Sequence, residues 1–530
     1  MSVRSAEINP ITKTDYPDPD IIRVGNVYYL VSTTMHFFPG GEILRSYDLV
    51  HWEIVTHLFR TLDGTDAERM ENGKNIYGKG MWAASLRYHQ GQFYVLFVSH
   101  GQEDTHVFIS KRFEGKAIPT ADKQAELLLG AWEHRRIKGY YHDASLLFDD
   151  DGRIFLTYGN MQIHLTELAP DLSGPKEGGI DRIIIRDNPE EVFLGYEGSH
   201  FYKIDGKYYV ALIHWPKSTS RRTEAIFVSD TVDGEYTGRD VCCDDMGFHN
   251  QGVAQGGLVQ TPKGLWYSVM FRDSGAVGRV PVLVPVAWNN GFPVFGENGR
   301  IPEDFVTPNE GPEYEYEPLF TSDDFRSDEA GKYDSLKPQW QWNHVPDGDL
   351  WRICPEGGLA ITTGKVCRNL VQARNTLTQR MQYPYCAGTV TIDASGIRDG
   401  DYAGLCVLQG CYGFIGIEKE GGRYFLVRIV KSKPAEGFGI GSNDCEPGEI
   451  TKRIPLEKPV IRVKAEGFFE DMVDYARFYY EQNGQMLPLG GDHKLVFRLD
   501  HFTGARFGLC VFATRQPGGT AVFREFRYEQ

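Results

Sequence analysis

A repeat of about 60 residues dominates the first half of the chain and constrains its fold more than any other feature. Each copy begins with a short segment that contains small residues or proline. A strand, a glycine turn and an aromatic-rich strand follow it. The five copies begin at Asp18 (DPDIIRVGNVYYLVS), Ala83 (AASLRYHQGQFYVLFVS), Asp143 (DASLLFDDDGRIFLTYG), Glu197 (EGSHFYKIDGKYYVALI) and Gln255 (QGGLVQTPKGLWYSVMF). Because helical periodicity is scarce, these repeats predict an all-β fold in which five four-stranded blades form a β-propeller.

The second half of the chain does not continue this repeat. From about residue 318 it is acidic and rich in loop residues, after which alternating strands resume, as in GTVTIDAS and ARFGLCVFAT. Such alternation over roughly 210 residues is typical of a two-sheet β-sandwich. We therefore expect a propeller domain over residues 1–310 and a β-sandwich domain over residues 319–530.

The repeats also predict a ring of side chains around the mouth of the central channel. The first strand of each propeller blade lines the axis, so the opening residues of the five repeats should meet there. Three of them are acids, namely Asp18, Asp143 and Glu197. Clustered like charges repel one another and are costly to desolvate, so such a ring indicates a function.

Two carboxylates that face each other across a sugar-sized gap can hydrolyse a glycoside. One takes a proton from water, the other donates a proton to the leaving oxygen, and a third can raise the pKa of the donor. The width of a propeller channel favours an inverting enzyme over a retaining one. A metal site is the rival use of three acids.

Composition narrows the class of ligand. The net charge of −16 disfavours nucleic acid and anionic membrane surfaces, whereas a neutral sugar is compatible with it. There is no apolar run of membrane-spanning length and no apolar segment typical of a secretory signal. Nine cysteines without CxxC pairs favour free thiols in a reducing compartment. We expect a cytoplasmic protein that binds oligosaccharides. Its oligomeric state is not predicted, and a homo-oligomer is one of the alternatives.

Several motifs resemble glycoside hydrolase family 43, whose members include inverting, five-bladed β-xylosidases and α-L-arabinofuranosidases. In the propeller they are YPDPDI (16–21), HFFPGGEILRSYDLVHWE (36–53), MWAASLRYH (81–89), HDASLLFDDDG (142–152), EGSHFYK (197–203) and GAVGRVPVLVPVAW (275–288). In the second half, SDDF, WQWNH and ARNTLTQR resemble the concanavalin-like C-terminal domain that accompanies these enzymes. The resemblance implies a mainly structural role for that domain, with a loop closing one side of the active site.

The resemblance assigns a role to each ring acid and to three further residues. It implies that Asp18 is the general base, Asp143 the pKa modulator and Glu197 the general acid. It also implies that Arg279 lies beside the substrate and that Phe38 and Trp82 form aromatic walls of the sugar pocket. An inter-blade cation at position 279 and blade-packing aromatics at positions 38 and 82 remain alternatives.

The fifth repeat departs from the family pattern. Many members carry a histidine there that helps to hold a calcium ion or a water cluster in the channel, whereas this chain has Gln255, which we assign to substrate binding. We expect that no cofactor is required. A structural Ca²⁺ remains open in the channel or at Asp323 and Asp324, where a solvated acidic turn is the alternative.

Together these features predict an exo-acting, inverting glycoside hydrolase. It would release terminal α-L-arabinofuranose, β-D-xylose or both from xylan or arabinoxylan oligosaccharides. The alternative is a non-catalytic propeller that binds carbohydrate. Such a protein would keep the aromatic residues but would have no use for three ring acids.

Overall fold

The computed structural model describes residues 8–115, 117–297, 299–305, 312–326, 336–433, 440 and 444–530. Strands dominate these ranges, and a single nine-residue α-helix, α1 (Ala121–Leu129), lies within them. No helix in the described ranges is long and apolar enough to cross a membrane. The predicted domain end at residue 310 falls outside the described residues.

Five four-stranded antiparallel sheets form the propeller, as predicted. The first repeat contains β1 (Asp20–Val24), β2 (Val27–Val31), β3 (Phe37–Phe38), β4 (Gly40–Ser46) and β5 (Glu53–Phe59), of which β3 joins a different sheet. Blade 2 contains β6 (Gly80–His89), β7 (Gln92–His100), β8 (Thr105–Ile109) and β9 (Glu133–Ile137). Blade 3 contains β10 (Ser145–Phe148), β11 (Ile154–Tyr158), β12 (Gln162–Leu168) and β13 (Asp181–Arg186). Blade 4 contains β14 (Val192–Ile204), β15 (Lys207–Pro216), β16 (Thr223–Ser229) and β17 (Thr237–Cys242), and blade 5 contains β18 (Val253–Gln260), β19 (Trp266–Asp273), β20 (Arg279–Asn289) and β21 (Phe292–Phe295).

Each blade opens with the hairpin that its repeat predicts. In blade 1, β1 and β2 pair antiparallel with Val24 opposite Val27. The turn between them begins at Gly25, whose φ of +64° lies in the left-handed region that glycine tolerates best. This hairpin places the N-terminal end of β1 at the centre of the propeller.

The ring of blades is closed by apolar packing and by the segment that precedes β1. Leu30 and Leu44 of blade 1 share a buried cluster with Val269 and Leu283 of blade 5. The Asn9 side chain completes this junction, because it donates to the Leu283 carbonyl and accepts from the Leu283 N–H, each at 2.8 Å. The first and last blades are therefore joined without a strand being shared between them.

The second domain is built from two large sheets, as the strand alternation predicts. Its strands are β22 (Gln341–Asn343), β23 (Trp351–Ile353), β24 (Leu359–Thr362), β25 (Thr376–Arg380), β26 (Tyr385–Gly396), β27 (Asp401–Leu408), β28 (Gly413–Glu420), β29 (Arg423–Val430), β30 (Glu449–Leu456), β31 (Val460–Phe468), β32 (Tyr475–Gln482), β33 (Gln485–Pro488), β34 (His493–Lys494), β35 (Arg506–Ala513) and β36 (Thr520–Glu529). One sheet has the order β3-β22-β25-β35-β27-β28-β29-β30. The other has the order β23-β24-β36-β26-β31-β32-β33, with β34 paired to β32.

The two domains share a sheet, because the short propeller strand β3 is the edge strand of the first sandwich sheet. Phe38 lies opposite Trp342 of β22 in this pairing. The Phe38 side chain is 1% exposed and packs edge-on against Phe59. The prediction that Phe38 forms a wall of the sugar pocket is therefore wrong. Its aromatic side chain serves the junction between the domains instead.

Candidate active site

The five ring residues meet in one cavity at the mouth of the propeller channel. The cavity has a volume of about 410 Å³ and is lined by all five residues that open the repeats: Asp18, Ala83, Asp143, Glu197 and Gln255. Its wall also includes Trp82 and Arg279. Ile440, Leu499 and Phe502 of the sandwich domain complete it, so the C-terminal domain does contribute to the site.

Three of the ring residues have the same unusual backbone conformation. The φ angles of Asp18, Asp143 and Gln255 are +52°, +49° and +54°, a left-handed conformation that non-glycine residues seldom adopt. Backbone conformations of this kind concentrate at functional sites. At Gln255 the conformation is stabilised by a buried partner, because the Gln255 N–H donates to Glu224 Oε2 at 2.8 Å.

Asp18 is held from both sides. Thr33 Oγ1 donates to Asp18 Oδ2 at 2.7 Å, and Arg279 Nη1 donates to Asp18 Oδ1 at 2.7 Å. The residue is only 7% exposed, so both bonds lie in a region of low dielectric constant, where a charge-assisted bond is strong. The two contacts fix the position of the Asp18 side chain at the cavity wall.

Two nitrogen atoms of the Arg279 guanidinium make no hydrogen bond to the described residues. Its Nε and Nη2 are buried and have no hydrogen-bond partner among the described residues. The guanidinium lies between two rings, with its central carbon 5.2 Å from the centroid of Phe271 and 4.6 Å from that of Phe502. A rigid, unsatisfied guanidinium at the wall of a cavity is a donor for ligand hydroxyls.

Asp143 and Glu197 lie on either side of His142. His142 Nε2 is 3.7 Å from Asp143 Oδ2 and 3.4 Å from Glu197 Oε2. Asn160 Nδ2 also donates to Glu197 Oε2, and the Gly198 N–H donates to Asp143 Oδ2 at 3.0 Å. A register shift in β14 around Glu197 turns its side chain out of the regular alternation.

The electrostatics of this group leave one proton poised near neutral pH. Burial raises the pKa of Asp143, and although His142 lowers it, the neighbouring Glu197 and Asp18 carboxylates bring it to about 7. Burial lowers the pKa of His142, but Asp143, Glu197 and Asp18 outweigh burial and raise it to about 9. Both pKa values are therefore raised, and large pKa shifts within one small group of residues at a cavity are typical of acid–base chemistry.

Aromatic rings line both the inner part and the rim of the cavity. Trp82 is stacked on His100, with centroids 4.3 Å apart, and its indole N–H donates to the Gly78 carbonyl at 3.1 Å. Phe502 approaches the same indole edge-on at 6.1 Å. At the rim, Phe193 is 62% exposed and packs edge-on against Trp215. Such surfaces suit the apolar faces of sugar rings.

Asp20, the buried carboxylate of the channel below the mouth, offers no free oxygen to a calcium ion, because protein groups already contact both of its oxygens. Asp20 is fully buried; its Oδ2 accepts from Arg87 Nη1 and from the Leu86 N–H, each at 2.7 Å. Its Oδ1 lies 3.1 Å from His200 Nδ1 and also accepts from its neighbour's N–H. Although burial raises the pKa of Asp20, Arg87 and His200 lower it below its ordinary value. The positive charge next to Asp20 therefore comes from a protein side chain, Arg87.

The acidic pair of the sandwich domain does not form a converging calcium site either. Asp323 accepts from the Phe325 N–H at 2.8 Å and from Trp340 Nε1 at 3.0 Å, while Asp324 pairs with Arg527 at 2.6 Å. In the described ranges, the residues close enough to share a metal ion are His142, Asp143 and Glu197. Hydrogen-bond donors already point at both carboxylates, which favours proton transfer over metal binding as their use.

Sequence reasoning missed other residues of this site, among them His142 and Phe502. His142 directly precedes Asp143 in the segment HDASLLFDDDG, and this adjacency was the signal that could have identified it. Phe502 gave no signal, because its place in the cavity depends on a contact between the domains. The predicted residues Asp18, Asp143, Glu197, Trp82, Gln255 and Arg279 do meet in the cavity, whereas Phe38 does not.

The fold and the site define a propeller enzyme with an attached β-sandwich. The family model described as "Glycosyl hydrolases family 43" matches residues 8–293, and the model described as "Beta xylosidase C-terminal Concanavalin A-like domain" matches residues 322–529. The chain belongs to glycosyl hydrolase family 43 and is a glycoside hydrolase. Family membership does not favour the alternative of a non-catalytic carbohydrate-binding propeller.

Relatives and solved structures agree with this placement. The chain is 28% identical to a β-xylosidase of Formosa agariphila over 468 residues, covering 78% of this chain and 75% of the relative. It is 28% identical to a non-reducing end α-L-arabinofuranosidase of Bacteroides ovatus over 371 residues, covering 66% and 63%. A bifunctional GH43-CE structure from Bacteroides eggerthii superposes with a TM-score of 0.88 at 37% identity, covering 99% of this chain. The chain spans only 64% of that bifunctional protein.

Proposed function

We propose that the protein is an exo-acting, inverting glycosidase that removes terminal α-L-arabinofuranose or β-D-xylose from short xylan or arabinoxylan oligosaccharides. The observation that carries the proposal is the convergence of Asp18, Asp143 and Glu197 in one cavity, with the pKa of Asp143 raised to about 7. Three acids in different electrostatic environments can divide the roles of base, acid and modulator between them.

In the proposed mechanism Asp18 is the general base. Its side chain is ion-paired to Arg279, and in this role it accepts a proton from the attacking water. Arg279 lies in the cavity wall beside Asp18, and in this proposal its guanidinium donates to a hydroxyl of the terminal sugar and helps to hold the ring between the carboxylates.

Glu197 is the proposed general acid, and it protonates the glycosidic oxygen as the bond breaks. Its side chain is 19% exposed, so it can exchange a proton with solvent after each turnover. Asp143, which is buried and lies near the same His142 Nε2 atom, is the proposed modulator of this acid. His142 and Asn160 position the Glu197 carboxylate by contacting its Oε2 atom.

The shape of the cavity supports removal of a terminal sugar. Leu499 and Phe502 of the sandwich domain form one side, and Trp82 lies beside them. The exposed rim ring of Phe193 is then available to the next sugar of the chain. The names of the two relatives, a β-xylosidase and a non-reducing end α-L-arabinofuranosidase, support the choice of the two pentosides.

Short oligosaccharides, rather than a polymer, are the proposed substrates because we also propose a cytoplasmic location. The nine cysteines are unpaired, which supports a reducing environment. Seven of the nine are buried, so they behave as small apolar core residues.

Initial rates on p-nitrophenyl α-L-arabinofuranoside and p-nitrophenyl β-D-xyloside test the proposal. Wild type should hydrolyse at least one of them, and Asp18→Ala should abolish that activity. Asp151→Ala is the matched control, because Asp151 is an exposed acid of the third repeat outside the cavity. Nuclear magnetic resonance of the first-formed sugar should show inverted configuration. An active Asp18→Ala enzyme, or a retained configuration, would contradict the mechanism.

A further inference from the structure

Asp15 joins the two domains at the wall of the active site. It is 5% exposed, and its two carboxylate oxygens have partners in different domains. Oδ1 accepts from the backbone N–H of Arg279 in the propeller at 2.7 Å. Oδ2 accepts from the backbone N–H of Gly504 in the sandwich domain at 2.8 Å, across 489 positions of sequence.

Both of these N–H groups belong to segments that carry cavity residues. Arg279 itself contacts Asp18, and Gly504 follows Phe502 by two positions. The Phe502 ring lies against the guanidinium of Arg279, at 4.6 Å, and edge-on to Trp82. One carboxylate therefore fixes the backbone on both sides of the Arg279–Phe502 contact.

The backbones at this point approach too closely for any larger residue. Gly278 has a φ of +104°, and a Cβ atom there would lie 2.3 Å from Asp15 Oδ1. A Cβ atom on Gly504 would lie 2.0 Å from the Val277 carbonyl oxygen and 2.9 Å from the Asp15 Cβ. With both glycines fitted against it, Asp15 is closely packed, and a larger side chain at position 15 would displace one backbone or the other.

We infer that Asp15 is a positioning residue for the terminal sugar: it couples the sandwich loop that carries Phe502 to Arg279, so that the second domain sets the affinity of the pocket. The inference rests on the proposed function, because it assumes that a pentose occupies the cavity. Replacing the carboxylate by an amide leaves an N–H facing an N–H on one side, which breaks one of the two links.

The same interface provides a matched control. Asp474 of the sandwich domain accepts from the backbone N–H of Ala276 at 2.5 Å, so it too makes a carboxylate-to-backbone bond between the domains. Ala276, the partner of Asp474, does not line the cavity, whereas Arg279, the partner of Asp15, does. Asp15→Asn and Asp474→Asn are therefore the same chemical change at two neighbouring points of one interface, only one of which bears on the pocket.

The first test compares the full-length wild type and the two variants by KM, kcat and calorimetric titration with free xylose and arabinose. We expect Asp15→Asn to raise KM and the sugar dissociation constant about tenfold, with a much smaller change in kcat. The loss of one hydrogen bond changes an equilibrium constant by roughly that factor. Asp474→Asn should keep wild-type values. Unchanged sugar affinity in Asp15→Asn, or an equal loss in both variants, would overturn the inference.

The second test does not depend on the substrate. Amide hydrogen exchange should become faster in Asp15→Asn at two places, residues 276–280 and residues 499–505, and should stay as in wild type at the far ends of both domains. Exchange that is unchanged at either place would show that Asp15 does not couple them. If wild type binds and cleaves no pentoside, the proposed function fails, whereas the exchange data still decide whether Asp15 couples the two segments.

Discussion

Asp18 and Arg279 form a buried ion pair, in which Nη1 of the arginine lies 2.7 Å from Oδ1 of the aspartate and both side chains are less than a tenth exposed. The pair links the first and fifth blades at the centre of the ring. Nη1 is the nitrogen of Arg279 that holds Asp18, whereas Nε and Nη2 have no hydrogen-bond partner among the residues that the structure describes.

Replacing Arg279 by methionine should therefore damage both base and sugar binding. We expect kcat/KM to fall about 100-fold, the range seen when a preorganised active-site donor is removed. Arg222→Met is the control, because Arg222 lies at the cavity wall but pairs with Asp273. Its loss should stay within about threefold, as for a partly exposed ion pair. Similar losses in both variants would argue against a special role of Arg279.

Asp143→Asn should change how stability depends on pH. The pKa of Asp143 is raised from its ordinary value of about 3.9 to about 7, so between these values the folded state binds more protons than the unfolded state. Its contribution to stability is present below pH 4 and is lost as the pH rises towards 7. The melting temperature of wild type should fall by a few degrees between pH 5 and pH 8, and that of Asp143→Asn should fall less. Parallel curves would contradict the assigned shift.

The same variant should change the pH–rate profile. Because the site exchanges a proton near pH 7 through Asp143, the wild-type profile of kcat/KM should bend in that region. Asp143→Asn should lack this bend and should lose activity at neutral pH. An unaltered profile with a normal rate would remove Asp143 from the mechanism.

Glu197→Ala should discriminate between leaving groups. An oligosaccharide leaving group needs protonation, whereas an activated aryl leaving group needs little, so the loss on xylobiose or arabinoxylan oligosaccharides should reach about 1,000-fold and the loss on the aryl glycoside should be much smaller. Asn160→Ala serves for comparison, because it removes only a donor to Glu197 Oε2. Equal losses of the Glu197 variant on both substrate types would exclude Glu197 as the acid.

Metal removal should leave the enzyme unaffected. Hydrogen-bond donors occupy the carboxylates of the channel and of the acidic pair in the sandwich domain, including Arg87 at Asp20 and Arg527 at Asp324. Dialysis against a chelator should change neither the melting temperature nor the initial rate. A loss that added Ca²⁺ restores would show that a metal site exists despite these contacts.

Removing the sandwich domain should leave an insoluble propeller. Phe37 and Tyr77 of the propeller share a buried cluster with Tyr412 and Phe512 of the sandwich, and Arg380 forms an ion pair with buried Glu42 at 2.9 Å. A chain that ends at residue 318 would expose this apolar surface and remove Arg380 from the buried Glu42 carboxylate. The soluble fraction on expression is the measurement, and a soluble, fully active fragment would show that the domains are independent.

The periodic part of the molecule could be predicted from the sequence. The hairpin repeat depends on neighbouring residues, on alternating apolar side chains and on glycine turns such as that at Gly25. Five copies allow few arrangements other than a propeller, and the propeller then places the residues that open the repeats in one ring. For this reason Asp18, Asp143 and Glu197 could be grouped although the chain separates them widely.

The rest was decided by tertiary structure, because it depends on where one domain meets the other. Phe38 is an aromatic residue of the kind that often lines sugar pockets. Its backbone nevertheless pairs with that of Trp342, and its ring is buried at the junction between the domains. Phe502, near the C-terminal end of the sequence, lines the cavity. Asp15 links the two domains because its carboxylate accepts from the Gly504 N–H. The sequence by itself determined the blades and their ring of acids, since local periodicity specifies both. Only the packing of the two domains decided which side chains close the pocket, because such contacts leave no pattern in either stretch of sequence alone.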